Sequence, residues 1–275
     1  MKIGEMNTLK VQRTVSIGVF LADDLGMEVL LPKRYVPDGL KEEDTLDVFI
    51  YRDSEDRTIA TTEVPKAMAN QLAFLEVVAI SDFGAFLDWG LPKDLMVPKK
   101  EQTHSLLIGN TYLFYVYLDS LTQRMAASTR LSKFLSEPPE NLKPKQEVEI
   151  IVWQKHELGY QVVVNEECLG MLYSDQVHVP VKVGQRMKAY VNQLRPDGRV
   201  DVLLQKPGYD HVADASKAIL EQLKANDGRL DLTDKSSPAE IEGLLGMSKK
   251  SFKKAIGALY KHRKIVIEEK GIRLI

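Results

Sequence analysis

Phe83-Gly84-Ala85-Phe86 sets two phenylalanines around a glycine, and Lys93, Lys99, Lys100 and Arg124 follow it. Aromatic faces stack on flat heteroaromatic rings, while Lys and Arg heads neutralise phosphates. The combination therefore suits a flat, polyanionic ligand better than it suits bond-making chemistry. The residue types of catalysis are not grouped in a comparable way. His104, His156, His178, His211 and His262 lie far apart, Cys168 is the single cysteine, and Asp53 and Asp119 are turn carboxylates without a repeated partner. With neither a P-loop nor a nucleophile elbow, no metal, no cofactor and no enzymatic activity are expected.

The elements that must position these residues emerge from internal repetition. A shift of 66 carries Leu9 to Leu75, Gly18 to Gly84, Phe20 to Phe86, Pro32 to Pro98 and Asp53 to Asp119. A further shift of 75 carries Leu75 to Ile150, Gly84 to Gly159, Val97 to Leu172, Tyr115 to Tyr190 and Met125 to Val200. Such periodicity means a row of similar small domains. Each copy reads as five short strands; in the second these are alternation around Leu75 and Val77, then Phe83 to Trp89, Asp94 to Pro98, Tyr112 to Leu118 and Arg124 to Ser128. Five strands in so short a span predict a small OB-type barrel, with the shared glycine marking a bulge or sharp bend. Such a bulge would turn both Phe83 and Phe86 outward.

The second copy, AISDFGAFLDWGLPKDLMVPKKEQ, resembles the S1 RNA-binding domain, a version of the OB fold, through Phe83-Gly84-Ala85-Phe86 and Asp94-Leu95-Met96-Val97. Gly170-Met171-Leu172-Tyr173 is similar to that family's third strand, and Arg57, Arg124 and Arg199 to its last hairpin. The resemblance implies single-stranded RNA as ligand, with bases stacked on Phe83 and Phe86 and phosphates met by Lys93, Lys99, Lys100 and Arg124. Trp89 is counted with them, although at a hairpin it can equally stack on a base or cover the barrel edge. Phe20, Lys33 and Arg34 keep part of the pattern in the first copy, and Tyr173 and Arg199 in the third. Departures predict unequal binding: Ile17 stands for Phe83 in the first copy, Leu158 and Gln161 for Phe83 and Phe86 in the third, and Pro32 and Pro98 where an aromatic or His would complete the platform. Phe49, Tyr115 and Tyr190 share one position, which fits packing better than contact.

At 275 residues, with 44% hydrophobic and 28% charged residues, the chain has the composition of a globular protein of several domains. Its net charge of -2 is unevenly spread, with residues 1–65 carrying eight basic and thirteen acidic residues and residues 208–275 thirteen and ten. The basic end is the better electrostatic match for phosphates. MKIGEMNTLKV lacks an apolar export segment and no run approaches a membrane span, so a cytoplasmic location without membrane contact is expected. Proline-bearing breaks at Val64-Pro65, at 136–147 and at 206–209 divide the chain into barrels at 1–65, 66–137 and 138–207 and a last domain at 208–275.

From Asp210 the apolar period lengthens to about 3.6. Val212, Ala215, Ile219 and Leu223 predict a helix stopped at Asn226-Asp227-Gly228, followed by an extended Arg229–Leu232. Ser237-Pro238-Ala239-Glu240 is a capping box, Ser248 caps a third helix, and residues 264–275 form a hairpin, which is winged-helix order. On the third helix Lys249, Lys250, Lys253, Lys254 and Lys261 share one face opposite Phe252, Ala255, Ile256 and Leu259. Lysine contacts there would reach phosphate rather than base edges. The fold class is thus mainly β: three tandem S1-like OB-fold barrels followed by a C-terminal winged-helix domain. That order, with LPKDLMVP, DKSSPAEI and LGMSKKSFKKAIGALYK, is similar to the conserved virulence factor B family of bacterial S1-domain proteins. This resemblance implies an RNA-binding protein that regulates gene expression after transcription; the alternative readings are a DNA-binding transcription regulator led by the winged helix and a protein-binding scaffold.

Overall fold

The computed structural model describes residues 1–177, 179–205 and 212–275, the side chains of 212–214 excepted. The expectations for the linker at 206–209, for Asp210, His178 and His211, and for the Val212 side chain lie outside the described residues. Two compact units are present, Met1–Val202 and Leu203–Ile275.

The first unit holds three closed barrels. The first comprises β1 Met6–Val15, β2 Gly18–Ala22, β3 Glu28–Pro32, β4 Thr45–Arg52 and β5 Thr58–Thr61. The second comprises β6 Gln71–Ile80, β7 Gly84–Asp88, β8 Leu95–Pro98, β9 Thr111–Leu118 and β10 Met125–Ser128. The third comprises β11 Glu147–His156, β12 Gly159–Val164, β13 Cys168–Tyr173, β14 Arg186–Leu194 and β15 Val200–Leu203. In each, the first strand pairs with the second and fourth, the third runs antiparallel to the second, and the fifth closes the barrel in parallel with the third. This is the OB strand order.

The shared glycine does not mark the bulge. Register shifts fall in the first strand of every barrel, between Val11 and Arg13, Val77 and Ala79, and Val152 and Gln154. Gly18, Gly84 and Gly159 instead open the second strand, where an added Cβ would lie 2.1 Å from the carbonyl oxygen of Leu31, Val97 or Leu172. Close approach of two backbones is the common requirement, because only a residue without Cβ fits there.

β4 explains how the first two barrels join. Val48, Phe49, Ile50 and Tyr51 are buried in succession, which requires cover on both strand faces. Val48 and Ile50 fill the first barrel, while Phe49 and Tyr51 enter one apolar cluster with Leu75, Val77, Leu87, Leu95 and Phe114 of the second. Tyr115, at the position of Phe49, stacks on Phe134 beyond the second barrel with ring centroids 4.6 Å apart. The shared aromatic position thus packs outside its own barrel in the first two copies; in the third, the Tyr190 hydroxyl donates to Glu147 Oε2 at 3.1 Å.

The second unit runs α1 Val212–Ala225, β16 Arg229–Leu230, α2 Pro238–Leu245, α3 Lys249–Lys261, β17 Ile265–Glu268 and β18 Gly271–Leu274. Both arms of the Ser237–Glu240 capping box are made, Pro238 opens α2, Gly246 ends it in the left-handed region, and Ser248 caps α3. Phe252, Ala255, Ile256 and Leu259 bury the apolar face of α3 against Ile219, Leu223, Ile241 and Ile272. No helix among the described residues is long and apolar enough to cross a membrane.

Candidate nucleic-acid interface

Phe83 and Phe86 both stand outside the core, for different reasons. The backbone turns at Ser81–Gly84, where Ser81 N donates to the Gly84 carbonyl at 2.8 Å and Phe83 N to Ser81 Oγ at 3.2 Å. Phe83 sits in this turn, 78% exposed. Phe86 follows from strand alternation, since Ala85 and Leu87 point into the barrel and Phe86 lies half-buried on its outer face.

Phe86 lines a cavity of about 650 Å³ with Lys93, Met96, Pro98, Lys100, Arg124 and Met125. The cations around it are not equivalent. Lys93 Nζ donates to the carbonyl oxygens of Arg52 at 3.0 Å and Asp53 at 2.6 Å, and its burial lowers its pKa. Arg124 Nε donates to Asp56 Oδ1 at 2.9 Å, an ion pair that raises the pKa of Arg124 and lowers that of Asp56. Both side chains therefore tie the first barrel to the second as well as bordering the cavity. Lys99 and Lys100, in the 3-10 turn Lys99–Glu101, are exposed and have no ion-pair partner among the described residues. They are the cations best placed to exchange water for phosphate.

Trp89 is corrected from contact residue to core. It is 2% exposed, meets Phe49 and Tyr51 edge-on at 5.8 and 6.3 Å, and its Nε1 donates to the Lys93 carbonyl at 2.5 Å. The first barrel covers the hairpin, so no face remains for a base.

The other two barrels carry partial versions of the site. In the first, Ile17 is exposed, Phe20 is capped by the Arg13 guanidinium at 4.1 Å, and Lys33 and Arg34 are exposed, with Arg34 lying 4.6 Å over the Tyr35 ring. In the third, Leu158 is exposed and the Tyr173 hydroxyl accepts from Arg195 Nη1 at 3.1 Å. Tyr173, Arg195 and Arg199 border a cavity of about 250 Å³. Arg195, absent from the sequence expectations, was hidden because its partner Tyr173 lies 22 residues away and no local pattern joins them.

On α3, Lys250, Lys253, Lys254 and Lys261 are exposed and Lys249 is half-buried. Lys249 Nζ donates to the Lys235 carbonyl at 3.4 Å, and Lys253 lies 3.8 Å from Asp234. The face remains strongly cationic.

Domain models match the first two barrels and the C-terminal helices. The S1 domain model matches residues 3–63 and 71–130, and the CvfB-like winged helix domain model matches residues 217–274. The chain is 26% identical to the Bacillus subtilis protein YitL, over 98% of this chain and 92% of that one. It is 28% identical to conserved virulence factor B of Staphylococcus aureus strain MRSA252, over 86% of this chain and 83% of that one. A solved multidomain protein with nucleic acid binding domains from Streptococcus pneumoniae is 24% identical, covering 99% of this chain and 98% of that one at a TM-score of 0.43.

Proposed function

The chain belongs to the conserved virulence factor B family of S1-domain proteins that end in a CvfB-like winged helix, and from that premise we propose that it binds single-stranded RNA and regulates gene expression after transcription. Its S1 and winged-helix domains are nucleic-acid-binding modules rather than catalytic ones. The observation that carries the reading is the outer face of the second barrel, where half-buried Phe86 lines one cavity with Lys100 and exposed Phe83 adjoins exposed Lys99, whose backbone N donates to the Phe83 carbonyl at 3.1 Å. Splayed bases stack on aromatic side chains, which duplex DNA does not allow, and ammonium groups follow the backbone. The protein acts without catalysis of its own.

The lysine face of α3 favours a second reading, duplex DNA held by the winged helix. Competition among unstructured RNA, single-stranded DNA and duplex DNA at about 0.15 M salt separates the two. RNA should compete best. A preference for duplex DNA would transfer the function to the winged helix, and no binding to any of the three would leave a protein partner as the ligand.

A further inference from the structure

We infer that the first barrel restrains the second barrel's cavity, with Asp56 competing against ligand phosphate for the Arg124 guanidinium. The inference rests on the RNA-binding reading and adds a control to it. Arg57, Arg124 and Arg199 are counterparts in the three copies, yet they are differently engaged. Arg57 Nη2 donates to Asp53 Oδ2 at 2.6 Å within its own turn, and Arg199 has no ion-pair partner among the described residues. Arg124 instead donates to a carboxylate of the neighbouring barrel, Asp56. Carboxylate and phosphate are both oxyanions held by charge-assisted hydrogen bonds, so Asp56 occupies a donor that a ligand phosphate would use.

The loop between β4 and β5 is built to present that carboxylate. Asp53 makes the turn: its Oδ1 accepts from Glu55 N at 2.9 Å and Arg57 N at 3.0 Å, and its own N donates to the Arg57 carbonyl at 3.0 Å. The Lys93 ammonium, on the carbonyls of Arg52 and Asp53, pins this turn to the second barrel, and Ser54 joins Phe86 and Arg124 in lining the cavity. Asp56 sits in the left-handed region at φ 66°, with its N on the Asp53 carbonyl at 3.1 Å. Among the described residues its carboxylate pairs with Arg124 and, at 3.5 Å, with Arg52 Nη1, and the turn itself does not use it.

Such a pair yields to a competitor. The Asp56 and Arg124 side chains are 43% and 53% exposed, and ion pairs in that setting are weak. Asp56 also keeps Arg52 when Arg124 leaves, so the exchange strands no charge. A polyanion that offers charge alone has to displace Asp56 against the first barrel's excess of thirteen acidic over eight basic residues. A ligand that also stacks on Phe86 gains a contact that the carboxylate does not oppose. The arrangement therefore favours single strands with accessible bases over bare charge.

Asn tolerates the left-handed region and matches Asp in shape, so Asp56→Asn removes the charge and keeps the turn, and Asp56→Gly, which fits the same φ, is a second neutral variant. Full-length protein, both variants, Arg124→Ala and the Asp56→Asn, Arg124→Ala double variant are titrated with a labelled unstructured RNA, following anisotropy at low salt. Removing the Asp56 charge should tighten binding about 2- to 5-fold, and in the Arg124→Ala background the same substitution should change affinity little. An equal gain in both backgrounds would mean a diffuse effect of net charge, and unchanged or weaker binding in the neutral variants would mean a joint between barrels and nothing more. Either result overturns the competition while leaving RNA as the ligand. Absence of RNA binding in the unsubstituted protein would overturn both.

Discussion

Phe83 occupies a turn and Phe86 an outward strand position, and neither belongs to the buried core. Replacing both with Ala should therefore weaken RNA binding by about 2 to 5 kcal/mol, as expected for two lost stacking surfaces. The slope of log affinity against log salt should stay nearly constant, and titration at several salt concentrations checks both. The sequence led to an outward placement of both by way of a bulge at Gly84, whereas the structure reaches it through the Ser81–Gly84 turn for Phe83 and strand alternation for Phe86. Trp89 and Lys93 were not legible in the sequence, since what claims them is the first barrel packed against the second, a contact between residues some 40 positions apart. Glu101 was invisible for the same reason. Its buried carboxylate accepts from Ser128 Oγ at 2.8 Å and Lys133 Nζ at 2.6 Å. Burial alone would raise its pKa, but Lys133 and Ser128 outweigh burial and hold it below the usual value. A depressed folded-state pKa stabilises the fold above the unfolded-state value and loses that contribution as pH falls through the folded one. Glu101→Gln should thus cost about 1 to 3 kcal/mol at neutral pH, with the difference closing below about pH 4; denaturant melts at both pH values test this.

Among the elements, the second strands depend most on a single residue. Gly84→Ala would place Cβ 2.1 Å from the Val97 carbonyl oxygen, and the β7–β8 ladder has to spread to admit it. A loss of about 2 to 4 kcal/mol in denaturant unfolding is expected. Gly257→Ala tests the opposite case. Gly257 is exposed within α3 and an added Cβ meets nothing within 4 Å, so the change should stabilise the second unit by about 0.5 to 1 kcal/mol. Much of the element layer was legible. The repeats align strand for strand, and the caps at Ser237, Gly246 and Ser248 are made by residues only a few positions apart. The bulges were misplaced onto the glycines because a bulge belongs to a pair of strands, whereas the glycine is what catches the eye in one.

For the molecule as a whole, the question is how binding divides between a three-barrel unit with aromatic sites and a winged helix with a lysine face. The two use different physics, and salt distinguishes them. Stacking is insensitive to counterions, whereas each phosphate contact on a single strand contributes about 0.7 to the slope of log affinity against log salt. Changing Lys249, Lys250, Lys253 and Lys254 together to Ala should flatten that slope by up to about 2.8 if all four reach phosphate. The fold should survive. Ala is the better helix former, the Lys253–Asp234 pair is half-exposed at 3.8 Å and contributes little, and removing positive charge from the first turn of α3 relieves repulsion with its dipole. Affinity should then fall steeply at low salt and hardly at all at high salt, the reverse of the uniform loss expected for the phenylalanine pair. An unchanged slope in a folded quadruple variant would mean that the lysine face is merely solvated, and that RNA is held by the barrels alone.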